Sequence, residues 1–323
     1  MTTALPLLFL NHADVIAAGG NDIAAACRDV RMALAQLRAG EAEMPPEVSV
    51  RLGLPGTDQA RAYALPARTG AVAAVKWTAH QPPAAPSITL LNDAISGLPT
   101  GIVESATLTS TRTAAVSALV LQHAASAPLR KIALLGAGAQ ARAHLHMLAT
   151  LFPSLTAVTL WNRTAARADT LATQLGPTAP WPLTTTQDLP ASLKDADAIV
   201  TCTNAPTPFL GPDAIRPGRL LLQIGYHEVT FDAIDRADII LVDLWGEFRL
   251  TSAKSLFQMH RAGRFPETRV SANLAQLALD GYTPPPNASV YFSSFGLNIF
   301  DIAIAARVLR DAAHLGIGTR LAL

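Results

Sequence analysis

Lys131-Ile-Ala-Leu-Leu-Gly-Ala-Gly-Ala-Gln-Ala141 constrains this chain more than any other stretch. A short apolar run ends in glycines and passes straight into helix-forming residues, which predicts a strand, a tight turn and a helix. Gly136 permits the turn, Gly138 lets backbone approach a pyrophosphate, and Ala141 takes the close-packing position of a dinucleotide-binding fingerprint. The helix that follows, Arg142 to Leu151, offers its free N–H groups and positive dipole end to phosphates. A second β-like run, Ala157-Val-Thr-Leu-Trp161, arrives after a helix-length interval, as a βαβ unit requires.

At 323 residues, half of them hydrophobic, the chain exceeds one typical domain and can bury cores in two units. A formal net charge of +1 with 15% charged residues leaves no basic stripe, so no nucleic-acid partner is expected and small-molecule chemistry fits better. Cys27 and Cys202 lie far apart without CxxC spacing, which argues against a disulfide framework and a thiolate metal site. No metal is expected, and a reducing cytoplasm is the simplest compartment. The run Leu5-Pro-Leu-Leu-Phe-Leu10 lacks a cationic flank and is too short for a signal segment or a membrane span, so it reads as a first strand.

Asp22 to Arg38 places Ile23, Cys27, Val30, Leu34 and Leu37 on one face of an amphipathic helix. Short runs separated by Gly and Pro follow, at Val48 to Leu52, Ala71 to Thr78, Ser87 to Asn92 and Gly101 to Glu104, and predict a compact, largely antiparallel sheet. Thr109 to Ser126 reads as an Ala-rich helix. Strands at Ile132 to Leu135, Ala157 to Trp161, Ala198 to Cys202, Leu220 to Ile224 and Ile239 to Val242, with helix-length spacers between most of them, predict a doubly wound parallel sheet. Ile299 to Gly316 is a closing helix with Ile302, Ala306 and Leu309 on one face. The expected class is α/β: a Rossmann domain over 119–298 plus a smaller α+β domain over 1–118 with 299–323.

In NAD-binding folds an acidic residue about 20 residues beyond the glycines bonds the ribose 2′-OH. Here the segment is Trp161-Asn-Arg-Thr-Ala-Ala-Arg167. Arg163 offers a planar fork to a 2′-phosphate, and Asn162 and Thr164 add neutral hydrogen bonds, so NADP(H) is favoured with NAD(H) admissible. The alternative is that Arg163 and Arg167 solvate the start of a helix. Candidate cofactor contacts are Gly136, Gly138, Ala139, Gln140, Asn162, Arg163, Thr164, Arg167, Thr201 and Thr203.

The Gly-Ala-Gly-Ala-Gln-Ala run at 136–141, Lys76 after a β-like run, and Ser110-Thr-Arg-Thr-Ala-Ala-Val-Ser117 resemble the ornithine cyclodeaminase/μ-crystallin family. Leu90-Leu-Asn-Asp-Ala-Ile-Ser-Gly-Leu-Pro99 and Ser294-Phe-Gly-Leu-Asn-Ile-Phe-Asp301 extend the resemblance nearly end to end. It implies a homodimeric NAD(P) enzyme acting on amino or imino acids, with the smaller domain binding substrate and forming the dimer. Arg51 and Arg112 match the family's carboxylate-binding arginines, and Lys76 its catalytic lysine. A guanidinium grips an α-carboxylate with two charge-assisted bonds. Lys76 lies in the apolar setting Ala74-Val-Lys-Trp-Thr78, where burial and nearby arginines lower an ammonium's pKa and suit it to proton exchange with an amine or imine.

Where the family's cyclodeaminases carry an acid after the fifth strand, this chain has Gln223-Ile-Gly-Tyr-His-Glu-Val-Thr230, with His227 in that place and Glu228 beside it. His227 is a candidate proton-transfer group, against the alternative that it packs under Tyr226. The missing acid weakens ornithine deamination and favours a plain hydride step, in an imino-acid or ketimine reductase or an amino-acid dehydrogenase. Three alternatives stay open: a cyclodeaminase-type lyase using bound NAD; a dehydrogenase of an N-carboxyalkyl amino acid in siderophore-precursor synthesis, whose C-terminal run is similar to Phe292-Ser-Ser-Phe-Gly-Leu297; and a ligand carrier. His144 and His146 read as structural, and Asp301 as bonding a helix terminus, with contact to cofactor the alternative; Asp243, Glu247 and Lys254 flank the last strand, where they could close over the nicotinamide, but the sequence alone gives them no role.

Overall fold

The computed structural model describes residues 6–53, 60–80 and 85–322. The first half runs β1 (Pro6–Leu10), α1 (His12–Ala17), α2 (Ile23–Ala39), β2 (Ala42–Glu43), β3 (Val48–Arg51), β4 (Arg61–Thr69), β5 (Val72–His80), β6 (Ser87–Asp93), β7 (Pro99–Glu104) and α3 (Ala106–Ala124). There follow β8 (Lys131–Leu135), α4 (Ala139–Leu151), β9 (Ala157–Trp161), α5 (Ala165–Leu175), β10 (Leu183–Thr186), α6 (Leu189–Leu193), β11 (Ala198–Thr201), β12 (Leu220–Gln223), α7 (Phe231–Arg236) and β13 (Ile239–Val242). The chain closes with α8 (Ser255–Arg261), β14 (Ala272–Asn273), α9 (Leu274–Leu279), β15 (Val290–Ser293), α10 (Asn298–Leu315) and β16 (Thr319–Ala322). Leu5 of the expected first strand lies outside the described residues.

Two compact units emerge, Met1–Arg112 with Leu297–Leu323, and Thr113–Gly296. The first holds a sheet in the order β16-β1-β7-β6-β5-β4-β2, with β3 also on β4. It is antiparallel except where β1 runs parallel to β7. Helix α2 is fixed at both ends: the Asp22 side chain accepts from the Ala25 N–H, and Gly40 closes the helix at φ 74°. It packs on α10, where Arg307 bonds Asp29 at 2.7 Å. The first two turns of α10 are buried on every side from Asn298 to Ala305, a broader contact than the single face Ile302, Ala306 and Leu309 define. Along β5 burial alternates, with Ala74, Lys76 and Thr78 inward and Trp77 outward, so strand geometry alone carries Lys76 into the interior.

Strand β4 has no counterpart in the sequence reading. Its run Arg-Ala-Tyr-Ala-Leu-Pro-Ala-Arg-Thr is rich in Ala and carries Pro66, both poor strand signals. Pro66 is tolerated because it falls in the gap between β2, which pairs with Arg68 and Thr69, and β3, which pairs with 61–64. No ladder partner calls for its missing N–H there.

The second unit holds an all-parallel sheet in the order β10-β9-β8-β11-β12-β15-β13-β14. Strand order turns back between β8 and β11, the switch point where doubly wound sheets open a crevice at the carboxyl ends of their strands. Beyond the five strands expected, β10, β14 and β15 complete the sheet. Buried β15 lies between β12 and β13 although it follows them in the chain. Ala133, Leu135, Ile199, Leu221, Ile234 and Tyr291 belong to its fully buried core.

Candidate active site

At the end of β8 the Gly136 N–H donates to Trp161 O at 2.8 Å, and φ is +115°. A Cβ at this position would stand 2.5 Å from the Cys202 carbonyl oxygen, so only Gly lets β8 and β11 approach so closely. Gly138 is the N-cap of α4 with no side-chain cap bond, and a Cβ there would meet nothing within 4 Å. Exposed Gly138 and Ala139 therefore leave the free N–H groups of a 13-residue helix facing open space, while Ala141 is fully buried. That arrangement fits a pyrophosphate. Gln140 adds a buried Oε1 without a hydrogen-bond partner among the described residues.

Beyond β9, Asn162 Nδ2 donates to Thr164 O at 2.8 Å, and Gln187 Nε2 donates to Arg163 O. These bonds shape the turn while the Arg163 and Arg167 side chains stay exposed. Beyond β11, Thr201 is buried with its Oγ1 unpartnered among the described residues, and Thr203 gives its N–H and hydroxyl to Glu228 Oε1. Glu228 is fully buried and also accepts from Gln223, so it is a structural carboxylate. His227, half-buried, meets Ser255 Oγ at 3.0 Å through Nδ1. Desolvation holds its pKa below the usual imidazole value, against the pull of Glu228. His144 is buried between Ser117 and the Gln140 carbonyl, and no group of metal-ligating side chains occurs among the described residues.

The first unit brings Lys76, Thr109, Arg112 and Asp301 together. Lys76 Nζ bonds Thr109 Oγ1 at 2.7 Å and Asp301 Oδ1 at 2.8 Å, and Thr109 also donates to Asp301 at 2.9 Å. Arg112 Nε lies 3.1 Å from Asp301 Oδ2 but outside hydrogen-bond geometry, so that pairing is Coulombic. Asp301 is 1% exposed and Lys76 4%. Burial lowers the Lys76 pKa from 10.5; Asp301 opposes this and Arg112 adds to it. Burial would raise Asp301, but the Arg112 and Lys76 cations together hold it below 3.8. Asp301 thus does not bond a helix terminus, as its sequence position suggested; it stands in the first turn of α10 and joins two cations from β5 and α3.

Arg51 is placed differently. It is exposed on β3 opposite Arg61, whereas Lys76 stands opposite Leu65. The register puts Arg51 on the same face as Lys76 but two strands away and four residues along, roughly 14 Å down the strand direction.

A parallel nucleotide-binding sheet and a buried lysine–carboxylate–arginine cluster define a dinucleotide-dependent enzyme fold. The family model described as ornithine cyclodeaminase/mu-crystallin matches residues 12–316, and the chain belongs to that family. A Staphylococcus aureus N-((2S)-2-amino-2-carboxyethyl)-L-glutamate dehydrogenase is 23% identical over 98% of each chain. The Thermococcus litoralis Delta(1)-pyrroline-2-carboxylate reductase in complex with NADH and L-proline superposes with a TM-score of 0.88 at 20% identity, covering 98% of this chain and 100% of that one. An archaeal alanine dehydrogenase dimer with bound NAD gives 0.87 at 20%, covering 98% of this chain and 99% of that one.

Proposed function

We propose that this protein is an NAD(P)-dependent oxidoreductase acting on the C–N bond of an amino or imino acid, as an imino-acid or ketimine reductase that runs in reverse as an amino-acid dehydrogenase. The observation that carries this reading is the buried Lys76–Asp301–Arg112 cluster in a chain that also carries an open dinucleotide turn. The unit holding the cluster binds substrate, and the unit holding Gly136 and Gly138 binds cofactor, which supplies or accepts hydride when bound.

With Nε turned to Asp301, Arg112 presents the Nη pair of its fork to the substrate carboxylate and fixes the neighbouring Cα. Arg51 reaches the same carboxylate or a second acidic group further along that face. Lys76 Nζ gives a proton to the imine nitrogen during reduction and takes it back from the amine in the reverse direction. Asp301 and Thr109 hold that ammonium in one orientation while burial weakens its grip on the proton. His227, at the end of β12, is a polar group of the cofactor-binding unit.

NADP(H) is the preferred cofactor, because the turn after β9 offers Arg163 and Arg167 and no acid. Arg163→Ala is expected to lower kcat/KM for NADPH about 10–100-fold and to leave NADH within about three-fold, since one charge-assisted contact contributes about 1.5–3 kcal/mol. Equal losses with both cofactors would refute that assignment. A homodimer is supported by Val48, Ala64, Trp77 and Ile88, which stand in one cross-strand row with Val48, Trp77 and Ile88 exposed. No helix among the described residues is long and apolar enough to cross a membrane, and both cysteines are free thiols, as in a reducing cytoplasm.

Absorbance at 340 nm tests the reaction class. Stoichiometric NADPH oxidation with cyclic imino acids, or with 2-oxo acids plus an amine, is expected. Ammonia release from ornithine with only catalytic nucleotide would instead make the protein a lyase. A second reading, oxidation of an N-carboxyalkyl amino acid, is favoured by the near-full-length likeness to the Staphylococcus aureus dehydrogenase. Reduction of NADP+ by such a substrate and by none of the simple amino acids would select it.

A further inference from the structure

At the carboxyl end of β12 a chain of hydrogen bonds fixes the proton on His227. It begins at Tyr291, fully buried on β15, whose hydroxyl donates to Gln223 Oε1. The other end of that amide, Nε2, faces three oxygens: Tyr226 O at 3.2 Å, Glu228 Oε2 at 3.1 Å and Ser255 Oγ at 3.0 Å. Two of these, a carbonyl and a carboxylate, only accept. Rotating the amide by half a turn would set its oxygen against both, so Gln223 has one orientation.

The orientation of Gln223 decides that of Ser255. An amide nitrogen does not accept a hydrogen bond, so the Ser255 hydroxyl hydrogen cannot point at Gln223. The remaining acceptor within its reach among the described residues is His227 Nδ1, 3.0 Å away. Ser255 is fully buried, and leaving its hydrogen unpaired would cost about 1–3 kcal/mol. Nδ1 therefore accepts, and the neutral ring carries its hydrogen on Nε2.

We infer that Ser255 and Gln223 lock His227 as the Nε2–H tautomer, and that this N–H is a donor for an acceptor oxygen of a ligand bound at the carboxyl end of β12. The inference rests on the oxidoreductase reading only for the identity of that ligand. The oxygen belongs to the nicotinamide carboxamide of the cofactor bound by this unit. Ser255 and Gln223 act as positioning residues, since neither presents its polar atoms to the ligand.

Long-range proton–nitrogen correlation spectra of the full-length 15N-labelled protein read the tautomer without turnover. At neutral pH the wild type is expected to show His227 with a bare Nδ1 and a protonated Nε2. Ser255→Thr is expected to keep that pattern, and Ser255→Ala to give a mixture of tautomers. A protonated Nδ1 in the wild type, or an unchanged pattern in Ser255→Ala, would overturn the lock. Adding NADP+ alone is expected to shift the Nε2–H signal, and no shift would overturn the donor role. In the turnover assay His227→Gln, which keeps an N–H donor, is expected to exceed His227→Asp at least ten-fold in kcat/KM. The reverse order would overturn the donor role even if the tautomer is as inferred.

Discussion

Lys76→Met is expected to lower kcat/KM for imine reduction about 10²–10⁴-fold, the range for removing a positioned proton-transfer group, and to leave the protein at least as stable as wild type. The two halves of this result have one cause. Burial outweighs the attraction of Asp301 in setting the Lys76 pKa, so the ammonium costs folding free energy where it stands. Methionine fills a similar volume without charge, and Asp301 keeps Arg112 at 3.1 Å. Equilibrium denaturation beside steady-state kinetics measures both. A variant that loses stability in step with activity would show Lys76 to be a structural cation. The pH profile of the wild type should carry a basic limb below the ordinary lysine value of 10.5, and that limb should vanish in the variant.

Asp301→Ala has the opposite signature. It leaves two buried cations, Lys76 and Arg112, without their shared anion, and the expected loss of stability is about 3–5 kcal/mol. Combining it with Lys76→Met should recover part of that loss, because one uncompensated charge disappears with the lysine. Strictly additive effects would show that the cluster is not coupled. The folded pKa of Asp301 lies below its ordinary value of 3.8, so its contribution is fully present above pH 3.8 and is lost as pH falls through the folded value. The difference in stability between wild type and Asp301→Ala should therefore be constant at neutral pH and shrink in acid.

Features written locally were legible in the sequence. The turn at Gly136 and Gly138 is one, because an apolar run, a positive φ and a helix start are all consequences of adjacent residues. The inward turn of Lys76 is another, since strand alternation needs only its neighbours. Strand β4 was not legible, because what excuses Pro66 is a gap between β2 and β3 that exists only in the assembled sheet. Nor was the place of β15 between two earlier strands, which its short run Val-Tyr-Phe-Ser does not encode. The role of Asp301 needed the fold as well. Its partners are Lys76 and Arg112, far away in the chain, and the sequence signal was only a carboxylate amid Ile299, Phe300, Ile302 and Ile304, where a buried charge requires a partner.

The measurement closest to the central claim follows the hydride itself. NADPH deuterated at the transferable C4 position is mixed with the imino acid that turns over at 340 nm, and the amino-acid product is analysed by mass spectrometry and proton NMR. One deuterium at Cα per NADPH consumed is the result predicted for net reduction of a carbon–nitrogen double bond. Product without deuterium at Cα, formed while the nucleotide is returned unchanged, would contradict it and make the protein a lyase.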